Sequence, residues 1–211
     1  MSDLRSAFVE GADHVIAIVA RDDVSKAWRE PSALADWSVG GLVAHFAGQL
    51  PTVLRLLQAE PGADPIAVDE HYHRSAWVSA GHDAEVNTGI RQGGERDASD
   101  GHAAVLAAVV RARAELPSVL ASQSADRAVL IPWTGWSLLR DDFLTGRLLE
   151  IVVHGEDVAA SVGFTAPPLS RAVLDPVLGL LTRLAMKKHG QGNVVSALTR
   201  SERAPRTISA F

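Results

Sequence analysis

Apolar residues recur along this chain at intervals of three and four, which is the period of amphipathic helices. The pattern predicts long helices over about residues 3–21, 38–59, 99–123, 141–161 and 170–189. Ser2 or Asp3 would cap the first helix and Ser38 the second, while Gly163 would end the fourth. Because little of the chain alternates as strands do, the sequence predicts an all-α protein built as a helix bundle.

Prolines and glycines mark where these helices should break. Pro51 predicts a kink in the second helix, and Pro117 predicts a bend in the last third of the third helix. Residues 60–100 form the least regular stretch, with a helical segment expected over about residues 66–80 and a flexible turn or loop over 92–97. This long connection would let the second and third long helices run in parallel by crossing over.

The chain divides into a bundle and a C-terminal part. We expect residues 1–165 to form the helix bundle, including a short extended piece over 129–133. Residues 166–211 are expected to add one helix, opened by a Pro-Pro pair, and an extended tail that packs on the bundle.

Composition limits the classes of function. A chain of 211 residues with 47% hydrophobic and 21% charged residues is typical of an ordinary globular domain. Its net charge of −5 argues against nucleic-acid binding, and no apolar run reaches the roughly 18 residues of a membrane span. The start lacks the features of a signal peptide, so a cytoplasmic location is expected. The oligomeric state stays open.

The chain contains no cysteine. Disulfides, thiolate metal sites and a cysteine nucleophile are therefore excluded. Any thiol chemistry would have to use a sulfur atom supplied by another molecule.

The helix over residues 141–161 carries the most informative polar residues. Glu150 and His154 lie four residues apart, so a helix projects them from one face, and His45 on a separate helix could complete a His2Glu metal site. A polar stripe of this kind is also typical of a solvated helix face, and a single histidine is often a boundary residue. The apolar neighbours Leu149 and Val153 favour a buried helix whose stripe lines a cavity.

The other histidines carry weaker signals. His71 and His73 lie two residues apart in the irregular connection and are weak ligand candidates. The remaining ones are isolated and are expected at the surface: His14, His82, His102 and His189.

Two segments of the chain resemble a known family. Asp36–Gly48, with its Trp-Ser turn and Val-Ala-His run, resembles the first signature of the mycothiol-dependent maleylpyruvate isomerase family. Gly146–Ala159 resembles the second signature, although Glu156 stands where many members have tryptophan. The family belongs to the DinB-like metal-binding bundles, so the resemblance implies a DinB-like four-helix bundle with a crossover connection.

The resemblance also implies a metal site. The family's metal ligands fall on His45, Glu150 and His154, and the expected ion is divalent, usually zinc. Asp157 matches the same motif and is implied as a supporting partner of the ligands. Arg147 matches as well, and could pair with Glu150 or meet an anionic substrate.

The function that this resemblance implies is a metal-dependent mycothiol S-transferase or a thiol-dependent isomerase. The cosubstrate would be mycothiol, a low-molecular-weight thiol whose pKa a metal ion would lower, and the second substrate a small electrophile. Two alternatives stay open: a metal-dependent hydrolase on the same bundle, and a non-catalytic member that binds a ligand in its cavity.

Overall fold

Helices carry most of the chain between residues 4 and 211, the part that this computed structural model describes. The predicted cap at Ser2 or Asp3 lies outside the described residues. The helices are α1 Leu4–Val19, α2 Asp22–Lys26, α3 Val39–Ala47, α4 Gln49–Gln58, α5 Val68–Arg74, α6 Ala76–Ser79, α7 Glu85–Ala98, α8 His102–Ser122, α9 Arg140–Val162, α10 Arg171–His189 and α11 Gln191–Thr199. The strands are β1 Pro65–Ile66, β2 Ala128–Ile131 and β3 Trp136–Leu139, and a short 3-10 turn covers Ser201–Arg203.

A bundle of four helical segments forms the core. α1 packs against α8 and α9, and α4 packs against the same two helices, while α3 continues the α4 segment along α9. The apolar stripes meet between them, and their largest members are fully buried: Phe8, Ile18, Leu42, Phe46, Leu50, Leu57, Leu116, Leu120 and Phe143. The prediction of an all-α bundle is confirmed.

The second predicted helix is divided into α3 and α4. The division falls at Gly48, which ends α3 and precedes α4. Pro51 therefore occupies the first turn of α4, where its missing N–H costs no helical hydrogen bond. Ser38 caps α3 as predicted, because its side chain accepts a hydrogen bond of 2.9 Å from the amide of Gly41.

A small sheet lies beside the bundle and leads into α9. Its strand order is β1-β3-β2, with β1 parallel and β2 antiparallel to β3. β2 confirms the extended piece that the sequence predicts. β3 ends at Leu139 and α9 begins at Arg140, so the sheet fixes where the longest helix starts.

The turn or loop predicted over residues 92–97 is wrong, because these residues lie inside α7. Of the two glycines that suggested a loop, Gly94 lies where α7 packs closely on α3. A Cβ atom added at Gly94 would lie 2.6 Å from the carbonyl oxygen of Gly41, closer than side chains tolerate. Glu95, the next residue, accepts a 2.8 Å hydrogen bond from the amide of Ser38 and thereby supports the start of α3.

The C-terminal part also differs from prediction, since residues 191–199 form α11 and not an extended segment. Gly190, with a φ of 83°, separates α11 from α10, and α11 folds back on α10 with Val194 buried. α10 packs on α1 and α9. The division of the chain at residue 165 stays a prediction. Among residues 4–211, no helix is both long and apolar enough to cross a bilayer.

The close contact of α3 and α7 gives a paired test. We expect Gly94→Ala to lower the free energy of unfolding by about 1–3 kcal/mol, since the added methyl would meet backbone. Gly93→Ala is the matched control, because a Cβ atom there would meet only the end of Arg96 at 3.8 Å. Alanine at this second helical position should be neutral or stabilising by up to about 1 kcal/mol. Urea titrations measure both, and equal effects would contradict the packing described.

Candidate metal centre

Two helices bring the predicted ligands together. His45 lies in the last turn of α3, and Glu150 and His154 lie one turn apart in the middle of α9. Oε2 of Glu150 lies 3.8 Å from Nε2 of His45 and 3.3 Å from Nε2 of His154. One ligand atom from each of the three residues lies within 4.8 Å of the other two. The trio that the sequence suggested is therefore adjacent in space.

Glu150 is the electrostatic centre of this group. Its side chain is 13% exposed, and burial opposes the charge of a carboxylate. Hydrogen bonds from His154 and His45 and the positive charge of Arg147 outweigh burial and hold the pKa of Glu150 well below its usual range. The group is therefore an anion at neutral pH.

His154 is held between two carboxylates. Its Nδ1 lies 3.0 Å from Oδ2 of Asp157, while its Nε2 faces Glu150. Burial would lower the pKa of His154, but Asp157 and Glu150 together raise it to about 9. A carboxylate on Nδ1 is the common way in which proteins orient a metal-binding imidazole, because it leaves Nε2 as the free donor.

The donor set fits a divalent cation. Two imidazole nitrogens and one carboxylate oxygen are the ligands of many catalytic zinc sites, in which such atoms lie about 3.3 Å apart. The distance of 3.3 Å between His154 and Glu150 matches that value, and the distance of 3.8 Å between His45 and Glu150 is longer. The imidazoles and the carboxylate are 13–25% exposed, so the group is enclosed on one side and open on the other.

Arg147 lies one turn before Glu150 on the same face of α9. One of its terminal nitrogens donates a 3.0 Å hydrogen bond to Oε1 of Gln49, whose amide nitrogen donates in turn to the carbonyl oxygen of His45. Nε of Arg147 is buried without a hydrogen-bond partner, and no carboxylate of residues 4–211 forms an ion pair with this guanidinium. The second terminal nitrogen makes no hydrogen bond to residues 4–211 and is not among the buried atoms without a partner, so the guanidinium keeps donors for a further partner.

The open side of the trio faces a cavity of about 780 Å³. The floor of the cavity comes from α3, α4 and α9, and α7 forms one wall. Aromatic and histidine side chains from distant parts of the chain complete it: Trp37, His71, Trp77, His82, Trp133 and Phe211. The ring of Phe211 lies 5.2 Å from that of Trp77 and 5.6 Å from that of Tyr72, so the end of the chain helps to shape this space.

The structure places the other histidines differently from the prediction. His71 is 3% exposed and lines the cavity, while His73 points outward near Glu70. The two are not joint ligands, because a helix places them on different sides. Val68, His71 and Tyr72 follow the spacing of a buried helical stripe, which is the sequence signal for His71. A second group of ligand atoms, from Asp36, His82 and Asp83, comes from exposed residues.

His14 was expected at the surface, and this prediction is wrong. It is 6% exposed and lies between α1 and α9, where a Cβ atom added at Gly155 would come within 2.9 Å of its Nε2. Gly155 directly follows His154, so the imidazole of His14 supports the ligand-bearing turn of α9 from behind. Burial lowers the pKa of His14 against a smaller opposing effect of Glu10.

The burial of His14 predicts that the stability of the fold falls in acid. Because its folded-state pKa lies below that of the unfolded chain, protonation favours unfolding, and stability falls as the pH drops below about 6.5. His14→Leu should therefore reduce the decrease in urea midpoint between pH 7.5 and pH 5.5. His189→Leu, at a less buried histidine of α10, is the control. An unchanged pH dependence in His14→Leu would contradict a buried neutral imidazole.

Comparisons with known proteins agree with the geometry. The family model described as the mycothiol maleylpyruvate isomerase N-terminal domain matches residues 8–159, well over half of the chain. No significant match was found among curated proteins or among solved structures. The matched segment contains His45, Glu150 and His154 together with Arg147 and Asp157, and it ends before α10.

Proposed function

Because this chain belongs to the family of the mycothiol maleylpyruvate isomerase N-terminal domain, as its two motifs predicted, we propose that it is a metal-dependent mycothiol S-transferase or thiol-dependent isomerase. The observation that carries the proposal is the convergence of His45, Glu150 and His154 at the floor of a cavity. The substrates would be mycothiol and a small electrophilic molecule. The cavity is large enough for a small-molecule site.

In this proposal His45, Glu150 and His154 hold a divalent ion, most simply zinc. When bound, such an ion lowers the pKa of a thiol that reaches its open position. The thiol must come from another molecule, because the chain has no cysteine, and the family points to mycothiol. Glu150 supplies the one negative charge of the ligand set, and its low pKa keeps it ready to bind a cation at neutral pH.

Asp157 and Arg147 are proposed to support the reaction in different ways. Asp157 accepts a hydrogen bond from Nδ1 of His154 and so keeps Nε2 directed at the ion. Arg147 has unused donors on the cavity side of α9, and we assign it to a negatively charged group of either substrate. Gln49 links Arg147 to the backbone at His45, which would couple the positions of these two residues.

Metal content is the first test. Protein purified without a histidine tag or chelators should contain about one zinc ion per chain by elemental analysis. His45→Ala and Glu150→Gln should lose it, while Asp157→Asn should weaken affinity by about 10- to 100-fold. His73→Ala is the matched control, since this exposed imidazole lies on α5, outside the trio. Stoichiometric zinc in His45→Ala, with helical content unchanged, would contradict the assignment.

Thiol dependence is the second test. With the fluorogenic electrophile monochlorobimane, metal-loaded protein should accelerate conjugation to mycothiol above the uncatalysed rate, and His154→Ala should abolish this acceleration. Glutathione serves as the control thiol for cosubstrate specificity. Hydrolysis of ester probes without any thiol would instead favour the hydrolase. Zinc binding without either activity would favour the ligand-binding alternative.

A further inference from the structure

One buried histidine of the cavity has no role in the function proposed above. His71 lies on α5, outside the helices that supply the metal ligands, and is 3% exposed. It lines the same cavity as Glu150, His154 and Arg147. Its environment fixes which of its nitrogens carries a proton.

The small sheet supplies the contact that determines which nitrogen of His71 carries the proton. Nε1 of Trp136, at the start of β3, lies 3.0 Å from Nδ1 of His71. An indole N–H can only donate, so Nδ1 of His71 must accept and cannot carry a hydrogen. The proton of the neutral imidazole therefore lies on Nε2. The two rings meet edge to face at 6.0 Å, which keeps the imidazole in one orientation.

The surroundings also keep this ring uncharged. Burial, and secondarily the positive charge of Arg147, lower the pKa of His71 to about 4, against an opposing effect of Glu150. The ring thus stays neutral throughout the physiological range. It cannot act as a general base there, because its unprotonated nitrogen already accepts from Trp136.

The second nitrogen is available. Nε2 of His71 makes no hydrogen bond to any of residues 4–211. It is also not one of the fully buried side-chain atoms that lack a partner in that range, so it keeps some accessible surface. A neutral N–H beside a cavity, fixed in direction and next to an arginine with spare donors, is a ready partner for an oxygen atom of a bound molecule. A neutral imidazole donor of this kind polarises carbonyl groups in enzymes.

We propose that His71 donates a hydrogen bond from Nε2–H to a carbonyl or carboxylate oxygen of the electrophilic substrate, and that Trp136 locks it in that tautomer. The inference rests on the proposed function, and it names the substrate class as electrophiles whose reacting carbon belongs to, or is conjugated with, a group that carries an acceptor oxygen. His71 itself transfers no proton, because it keeps its hydrogen while it stabilises negative charge on that oxygen.

The first experiment measures the tautomer of His71 and its contact with a ketone, and it requires no catalytic turnover. In ¹⁵N-histidine-labelled, zinc-loaded protein, two-bond ¹H–¹⁵N spectra should show His71 as the neutral Nε2–H form at pH 7. Trp136→Phe removes the locking donor and should abolish this single-tautomer signature. Adding 2-cyclohexen-1-one, a conjugated ketone, should shift the Nε2 resonance. An Nδ1–H tautomer, an imidazolium, or no shift up to the solubility limit of the ketone would overturn the proposal.

The second experiment separates a hydrogen-bond donor from a structural residue. With mycothiol as the thiol, His71→Phe should lower kcat/KM for 2-cyclohexen-1-one by about 100-fold and leave benzyl chloride, which has no oxygen, almost unchanged. His71→Gln places an amide N–H near the lost donor and should restore part of the rate. Equal losses for both electrophiles, or no loss for the ketone, would overturn the role of His71.

The two experiments also distinguish this inference from the proposed function. If wild-type protein shows no thiol-dependent turnover with either electrophile, the proposed function has failed. The tautomer and the ketone-induced shift then still decide whether His71 is a fixed donor facing the cavity.

Discussion

The structure around the cavity depends on one buried negative charge. The carboxylate of Glu150 lies in the middle of the longest helix, where burial opposes its ionisation. A buried carboxylate is stable only when it is paired and hydrogen-bonded. The partners come from two places: His154 and Arg147 from the same helix, and His45 from α3. Pairing with His45 therefore requires that α3 approach α9 in a single register.

Glycines let other helices pack closely on the two helices that carry the trio. Gly41 and Gly94 let α3 and α7 meet backbone to backbone, and Gly155 lets α9 lie against the imidazole of His14. Each of these positions lacks room for a Cβ atom, and the last directly follows a proposed metal ligand. The contact between Gly41 and Gly94 brings α7 onto α3, where α7 forms a wall of the cavity.

This dependence on partners explains what the sequence could and could not predict. The main helices were predictable because their apolar stripes are local, and the trio was predictable because Glu150 and His154 are one turn apart and the motif around His45 resembles a known family. α7 was missed because its glycines oppose helix formation locally, and the compensating contact with Gly41 lies in another segment. His71 was undervalued because its hydrogen-bond partner, Trp136, is 65 residues away.

The cavity holds histidines in two opposite states, and charge explains the difference. Two carboxylates surround His154 and raise its pKa to about 9, so a cation bound there would compete with a proton for the same nitrogen. His71 lies in a site where burial and a guanidinium lower its pKa to about 4. Arg147 contributes to both effects, since it favours the carboxylate of Glu150 and opposes an imidazolium at His71. The charge of Arg147 therefore lies between the proposed cation-binding end of the cavity and an end that offers neutral and positive hydrogen-bond donors. A thiol at the first end and an electrophile with an acceptor oxygen at the second would complement both.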